Sequence, residues 1–211
     1  MYNRFFKRVI DFTLSLVGML VLWPVFLVII IAIKIDDPGP AFFKQKRIGK
    51  GKTHFYLYKF RSMKVNVPDI PTHLLENPEQ YITKVGKFLR KTSLDELPQL
   101  LNILSGKMSI IGPRPALWNQ DDLICERDKY GANDVKPGLT GWAQINGRDE
   151  LEIPVKAKLD GEYVEKMGFF FDVKCFFGTI ASVLKSDGVV EGGTGELKKQ
   201  EEKATEEEVT K

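Results

Sequence analysis

The stretch Phe12–Ile33, FTLSLVGMLVLWPVFLVIIIAI, carries no charged side chain. It matches the roughly 20 apolar residues a bilayer-spanning helix requires. A signal peptide has an apolar core of only about 7–15 residues, so the segment reads as a retained anchor. Pro24 falls near its middle. Proline lacks an N–H and its ring clashes with the carbonyl four residues earlier, here Leu20, which predicts a kink or break. Each arm would then be about ten residues, roughly 15 Å, or half the hydrocarbon thickness. Arg4, Lys7 and Arg8 precede the run, and Lys34, Lys44, Lys46, Arg47, Lys50 and Lys52 follow it. Because basic flanks stay on the cytoplasmic side, both ends ask for the same face. The expectation is a re-entrant hairpin, with a kinked spanning helix as its alternative.

The chain has 211 residues. Subtracting anchor and tail leaves about 150, enough for one compact core. The expected organisation is an anchoring hairpin over 1–36, one domain over 37–190 and a charged, disordered tail over 191–211, where Gly, Glu and Lys replace aromatics. A formal net charge of +3 gives no reason to expect nucleic acid. Between Lys44 and Arg61 there are basic residues and no acid. Beside an anchor, such a cluster suits anionic headgroups, phosphorylated substrates or simple orientation in the membrane. Cys125 and Cys175 have no metal-ligand or CxxC spacing and read as buried thiols. His54 and His73 have no partner at ligand spacing.

After the turn DDPGP, the segments AFFKQKRIG and THFYLYKFRSM flank GKGK as a two-stranded hairpin. Residues 65–78 read as a surface loop, and Tyr81–Leu89 as helix. Leu97, Leu100, Leu101 and Leu104 predict a helix with one buried stripe, ended by Gly106. Another helix is expected over Asn119–Tyr130. VKPGLTGWAQINGR, with Gly138, Gly141 and Gly147, reads as largely irregular. Phe169–Leu184 reads as an apolar helix, in the membrane interface or the core. The fold class expected is α+β, mainly helical.

Asp95-Glu96 is the one carboxylate pair with a chemical reading. Ser93-Leu94-Asp95-Glu96 fits a capping box, and capping is the simpler reading of that spacing. Pro98 argues for a helix that begins at or near Asp95, where the missing N–H costs nothing. Both carboxylates would then stand at the positive end of a helix, which favours their ionised form and attracts phosphate. An ionised Asp can attack phosphorus, and a neighbouring Glu can hold a metal ion.

FFKQKRIGKGKTHFYLYKFRSM, FLRKTSLDELPQLLNILSGKMSIIGPRP and KPGLTGWAQINGR together closely resemble the bacterial sugar transferases, the small monotopic phosphoglycosyl transferases. The blocks occur in the family's order, from the anchor to about Leu184. The resemblance implies a re-entrant hairpin and interfacial amphipathic helices that hold a domain on the cytoplasmic face of the bacterial inner membrane. It implies transfer of a sugar 1-phosphate from a UDP-sugar to polyprenyl (undecaprenyl) phosphate, with release of UMP and Mg²⁺ as cofactor. Asp95 matches the nucleophile of a ping-pong route and Glu96 the metal ligand. Arg90, Lys59, Arg114 and Arg148 match basic positions expected near phosphate or nucleotide, and Asp160 matches an acid near the metal. Read from the residues alone, Lys59 could instead guard a strand edge, Arg148 could pin its loop, and Asp160 could be an exposed charge at a helix start. Pro113 and Pro115 stiffen the backbone around Arg114, which favours a binding role.

Trp23-Pro24 departs from the Ser-Pro often found at the family's hairpin apex. Two rival readings stand beside ping-pong transfer. In one, Asp95 is a general base for direct transfer in a ternary complex. In the other, the chain is a non-catalytic module that binds nucleotide-sugars or recruits later glycosyltransferases of the same pathway.

Overall fold

The computed structural model describes residues 2–67, 78–147 and 151–185. It is mostly helical, with two small two-stranded sheets. Helix α1 (Lys7–Asp36) is a single helix of 30 residues, and helical backbone continues through Trp23-Pro24. The chain therefore does not divide into two helices at the proline. By length and composition α1 could cross a membrane.

The pattern of burial on α1 is informative. Asp11, Ser15, Phe26, Ile29 and Ile33 are buried against the domain, while Leu14, Val17, Leu20, Val21, Trp23, Leu27, Val28, Ile31 and Ile35 are exposed. A helix apolar all round belongs in a core or a membrane. Here one face has the domain as its partner and the other presents apolar side chains outward. Polar bonds hold both ends to the same body. Arg8 donates to the carbonyls of Ile103 and Leu104, and Asp36 accepts from Val85 N.

The expected hairpin is present. β1 (Phe42–Ile48) pairs antiparallel with β2 (His54–Phe60), Phe42 opposite Phe60 and Ile48 opposite His54. Phe60 stacks on Phe42 and meets Phe26 edge-on, joining the hairpin to α1. Helix α2 (Lys84–Lys91) begins later than its apolar pattern suggested, because Thr83 caps it by accepting from Gly86 N. Residues 68–77 of the expected 65–78 loop lie outside the described residues, as does the expected tail.

Helix α3 (Gln99–Leu104) follows Pro98, and Gly106 near its end has a left-handed φ of +79°. Its fully buried face is Gln99, Asn102 and Ile103. The leucine stripe expected to be buried is only partly covered, and Leu101 is exposed. The physical reason is that the domain side of α3 is satisfied by hydrogen bonds as well as by apolar contact. β3 (Ser109–Ile111) pairs parallel with β4 (Gly138–Thr140). Asp11 of α1 accepts from Ser109 Oγ at 2.7 Å and Ile110 N at 3.0 Å, tying α1 to this sheet.

Helix α4 (Asp121–Asp128) lies within the expected span, but its Cys125 is exposed and only Cys175 is buried. A cysteine that follows two apolar residues still faces outward when the helix phase puts Leu123, Ile124 and Arg127 on the inner side. The segment expected to be irregular contains β4 and the short helix α5 (Trp142–Ile145). Its glycines are required by close approach. A Cβ at Gly141 would lie 2.1 Å from Gly112 O, and one at Gly138 2.1 Å from Gly112 N. Helix α6 (Ile153–Lys166) packs on α4 and α5. Helix α7 (Phe169–Lys185) matches its expected span and exposes Phe170 and Phe177.

Asp172 on α7 gathers a buried polar group. It accepts from Tyr2 Oη, Lys7 Nζ and Tyr163 Oη. Burial, together with the hydrogen bond and charge of Asp172, raises the Tyr2 phenol well above its usual value. Tyr2 and Tyr163 therefore stay protonated and act as donors.

Candidate active site

The carboxylate pair lies in a single 3₁₀ turn, Leu94–Glu96, just ahead of α3. Neither sequence-based account of its backbone holds. Ser93 has left-handed φ and its side chain makes no capping bond, so there is no capping box. The α-helix starts at Gln99, after Pro98, and the N–H that proline lacks is one the first helical turn leaves unpaired. Left-handed Ser93 turns the chain sharply after α2, bringing Asp95 and Glu96 against β2. Asp95 is buried and Glu96 partly so.

Three cations from three segments converge there. Lys59 Nζ, on β2, is 2.8 Å from Glu96 Oε1 and 3.5 Å from Asp95 Oδ2. Arg114 reaches Glu96 with both terminal nitrogens, Nη2 to Oε1 at 2.6 Å and Nη1 to Oε2 at 3.3 Å. Its backbone is fixed on both sides: Pro113 O accepts from Gly138 N, and Pro115 O accepts from Arg47 Nη1. Arg90, near the end of α2, places its charge where it acts on Asp95, and its Nε donates to Ser62 Oγ at 2.9 Å.

The two carboxyls feel opposite environments. Burial pushes Asp95 up, reinforced by the Glu96 charge, and Lys59, Arg90 and Arg114 offset this only partly. Burial also acts on Glu96, but Arg114 and Lys59, through charge and hydrogen bonds, outweigh it and hold Glu96 well below the usual carboxylate range. Adjacent carboxyls driven apart in this way are suited to different roles.

Lys59, Arg90, Asp95, Glu96 and Arg114 are thus brought together. Arg148 lies outside the described residues. Asp160 has different partners. It is buried within α6, not exposed at a helix start, and its Oδ2 accepts from Arg127 Nε and Nη2 on α4. No described contact links it to Glu96, and burial, against the pull of Arg127, raises its carboxyl. Among the described residues no group of three His, Cys, Asp or Glu side chains is arranged as a metal cage.

Two polar residues went unnoticed in the sequence. Asn102 Nδ2 donates to Tyr56 O at 2.7 Å and its Oδ1 accepts from Tyr58 N at 3.0 Å, so α3 closes the free edge of β2. The signal was a polar residue sharing a helix face with Gln99 and Ile103 inside a leucine-rich segment. Ser62 lies within the YKFRSM block, but nothing in the pattern marked its hydroxyl.

A carboxylate pair of divergent character is ringed by lysine and arginine beside a long apolar helix, an arrangement with the charge to receive an anionic group. A family model described as bacterial sugar transferase matches residues 2–186, and the chain belongs to that family. It is 42% identical over 186 residues to the UDP-glucose:undecaprenyl-phosphate glucose-1-phosphate transferase of Escherichia coli (strain K12), covering 84% of this chain and 40% of that protein. It is 36% identical over 202 residues to the undecaprenyl-phosphate galactose phosphotransferase of Salmonella typhimurium, covering 88% of this chain and 42% of that protein. The chain spans well under half the length of these two relatives. It is also 41% identical over 183 residues to the uncharacterized sugar transferase EpsL of Bacillus subtilis (strain 168), covering 87% of this chain and 89% of that protein.

Proposed function

We propose that this chain is an enzyme that transfers a sugar 1-phosphate from a UDP-sugar to undecaprenyl phosphate at the cytoplasmic face of a bacterial membrane, with release of UMP. The observation that carries this reading is the joint hold of Lys59 and Arg114 on Glu96 beside buried Asp95. Phosphoryl transfer depends chiefly on positioning and on cations that meet spreading charge. The relatives' names supply the acceptor and the sugar class.

In this mechanism an Asp95 carboxylate oxygen attacks the β-phosphorus of the donor. An Asp95–phosphorus bond forms, the bridging bond to the α-phosphate breaks, and UMP departs with that oxygen. A phosphate oxygen of the polyprenyl acceptor then attacks the same phosphorus and displaces Asp95, giving a lipid-linked diphosphosugar. Lys59 faces both carboxylates and steadies the charge they carry. Arg114 and Arg90 present donors to phosphoryl oxygens, with Arg148 assigned a similar role by its motif.

Glu96 fits a magnesium role in a limited way. It is ionised, but its oxygens are engaged by Lys59 and Arg114. Mg²⁺ commonly uses one or two carboxylates and completes its shell with water and substrate phosphates. Glu96 would hold the ion together with the donor's diphosphate, and the bound ion would neutralise leaving-group charge.

The anchor is read as entering the membrane from one face. Support comes from Arg8 and Asp36, at opposite ends of α1, both bonding to the same domain. The outward apolar face of α1, and that of α7, would enter lipid and bring the site to the polyprenyl headgroup. Incubation with radiolabelled UDP-sugar alone tests the reading. A labelled protein adduct, absent in Asp95→Asn, is expected; normal turnover without any adduct would favour direct transfer.

A further inference from the structure

Residues 60–64 form a rail against which α2 is set. Arg61 N donates to Ala41 O, Thr83 N donates to Ser62 O at 3.1 Å, Met63 bridges Ile82, and Lys64 N donates to Tyr81 O. Gly86 in the first turn of α2 allows the helix to press on this rail, since a Cβ there would stand 1.9 Å from Ser62 O. Ser62 is buried, and its hydroxyl accepts from Arg90 Nε at 2.9 Å. Only three residues earlier, on the same segment, Lys59 faces Asp95 and Glu96.

We infer that Ser62 is a positioning residue that acts through Arg90, orienting its guanidinium toward the phosphoryl group held at Asp95. A planar guanidinium has five N–H donors in a fixed fork. Tethering Nε to a buried hydroxyl on a hydrogen-bonded rail fixes the plane of that fork and reduces the ordering cost when a phosphate arrives. The hydroxyl also lets one short segment set two cations at once, Lys59 through backbone register and Arg90 through its side chain.

This inference rests on the functional reading above, and its test separates the two. Wild-type protein in membranes with undecaprenyl phosphate is screened for UMP release with UDP-glucose, UDP-galactose and UDP-N-acetylgalactosamine, and the donor turned over is used throughout. If none is turned over, the catalytic reading falls and the positioning role falls with it. With an active donor, Ser62→Ala is expected to lose about tenfold in kcat with little change in KM, because the misaimed cation is needed most as charge develops. Ser62→Thr, which retains an acceptor, should recover most of that loss. In an Arg90→Ala background, Ser62→Ala should cost less than about twofold, since neighbours that act as a unit are not additive. Wild-type activity in Ser62→Ala would overturn the role of Ser62 alone. A loss of equal size with and without Arg90, including one caused by misfolding, would do the same.

Discussion

The carboxamide of Asn102 and the backbone of Tyr58 stand in the relation of neighbouring strands, with Oδ1 accepting from Tyr58 N at 3.0 Å. Nδ2 completes the pair by donating to Tyr56 O. One side chain thus stands in for a strand, and it fixes β2, and with it Lys59, against the segment bearing Asp95. Asn102→Ala would leave both groups of β2 without these partners. At about 1–3 kcal/mol for an unsatisfied buried group, the variant should unfold at clearly lower denaturant and also lose UMP release. Wild-type unfolding in detergent would contradict this.

Arg114→Lys should not behave as a conservative change. The guanidinium grips Glu96 with two nitrogens, which an ammonium cannot reproduce. A fall in kcat/KM on the order of 100-fold is expected, similar to removing one preorganised donor from an active site. Steady-state UMP release measures it.

Gly86→Ala should destabilise, although alanine ordinarily favours a helix by about 1 kcal/mol. Its Cβ would press into Ser62 O, so α2 must move and carry Arg90 with it. The thermal unfolding temperature and the rate of adduct formation should both decline.

Asp160→Asn should impair folding rather than chemistry. It leaves Arg127 charged and buried, a situation that costs about 3–5 kcal/mol. Molecules that remain folded should form the Asp95 adduct at a near-normal rate. The paired change Arg127→Met with Asp160→Leu should be far milder. A direct role for Asp160 in transfer would instead appear as lost adduct formation in well-folded protein.

Removal of divalent ions should stop UMP release, and added Mg²⁺ should restore it. Glu96→Gln is expected to raise the Mg²⁺ concentration for half-activity by about tenfold or more, as its carboxylate is the proposed protein ligand. An unchanged requirement would remove Glu96 from that role.

The β-hairpin and the apolar helices α1 and α7 were legible because local patterns determine them: alternation and apolar length. The cations beside Asp95 and Glu96 were named through the family resemblance, since no local pattern joins Lys59, Arg90 and Arg114. Helix phase was less legible. The leucines of α3 implied a buried stripe, whereas Gln99, Asn102 and Ile103 occupy the inner face, and Asn102 is held there by its bonds to the backbone of β2. A period records apolar residues and is blind to polar ones that are buried with partners. The burial of Asp160 was hidden for the same reason, since its partner Arg127 lies 33 residues away and no local signal joins them. Gly138 and Gly141 suggested an irregular loop because glycine marks turns, but they serve backbone-to-backbone contact between neighbouring segments.

Asp11, at the edge of the apolar run, grips Ser109 and Ile110, five and four residues before Arg114. Deleting the hydrophobic N-terminus to obtain a water-soluble protein would therefore strip partners from the very strand that leads to Arg114. Efforts at solubilisation should recolour the outward side of that helix with polar residues and leave its inward side intact.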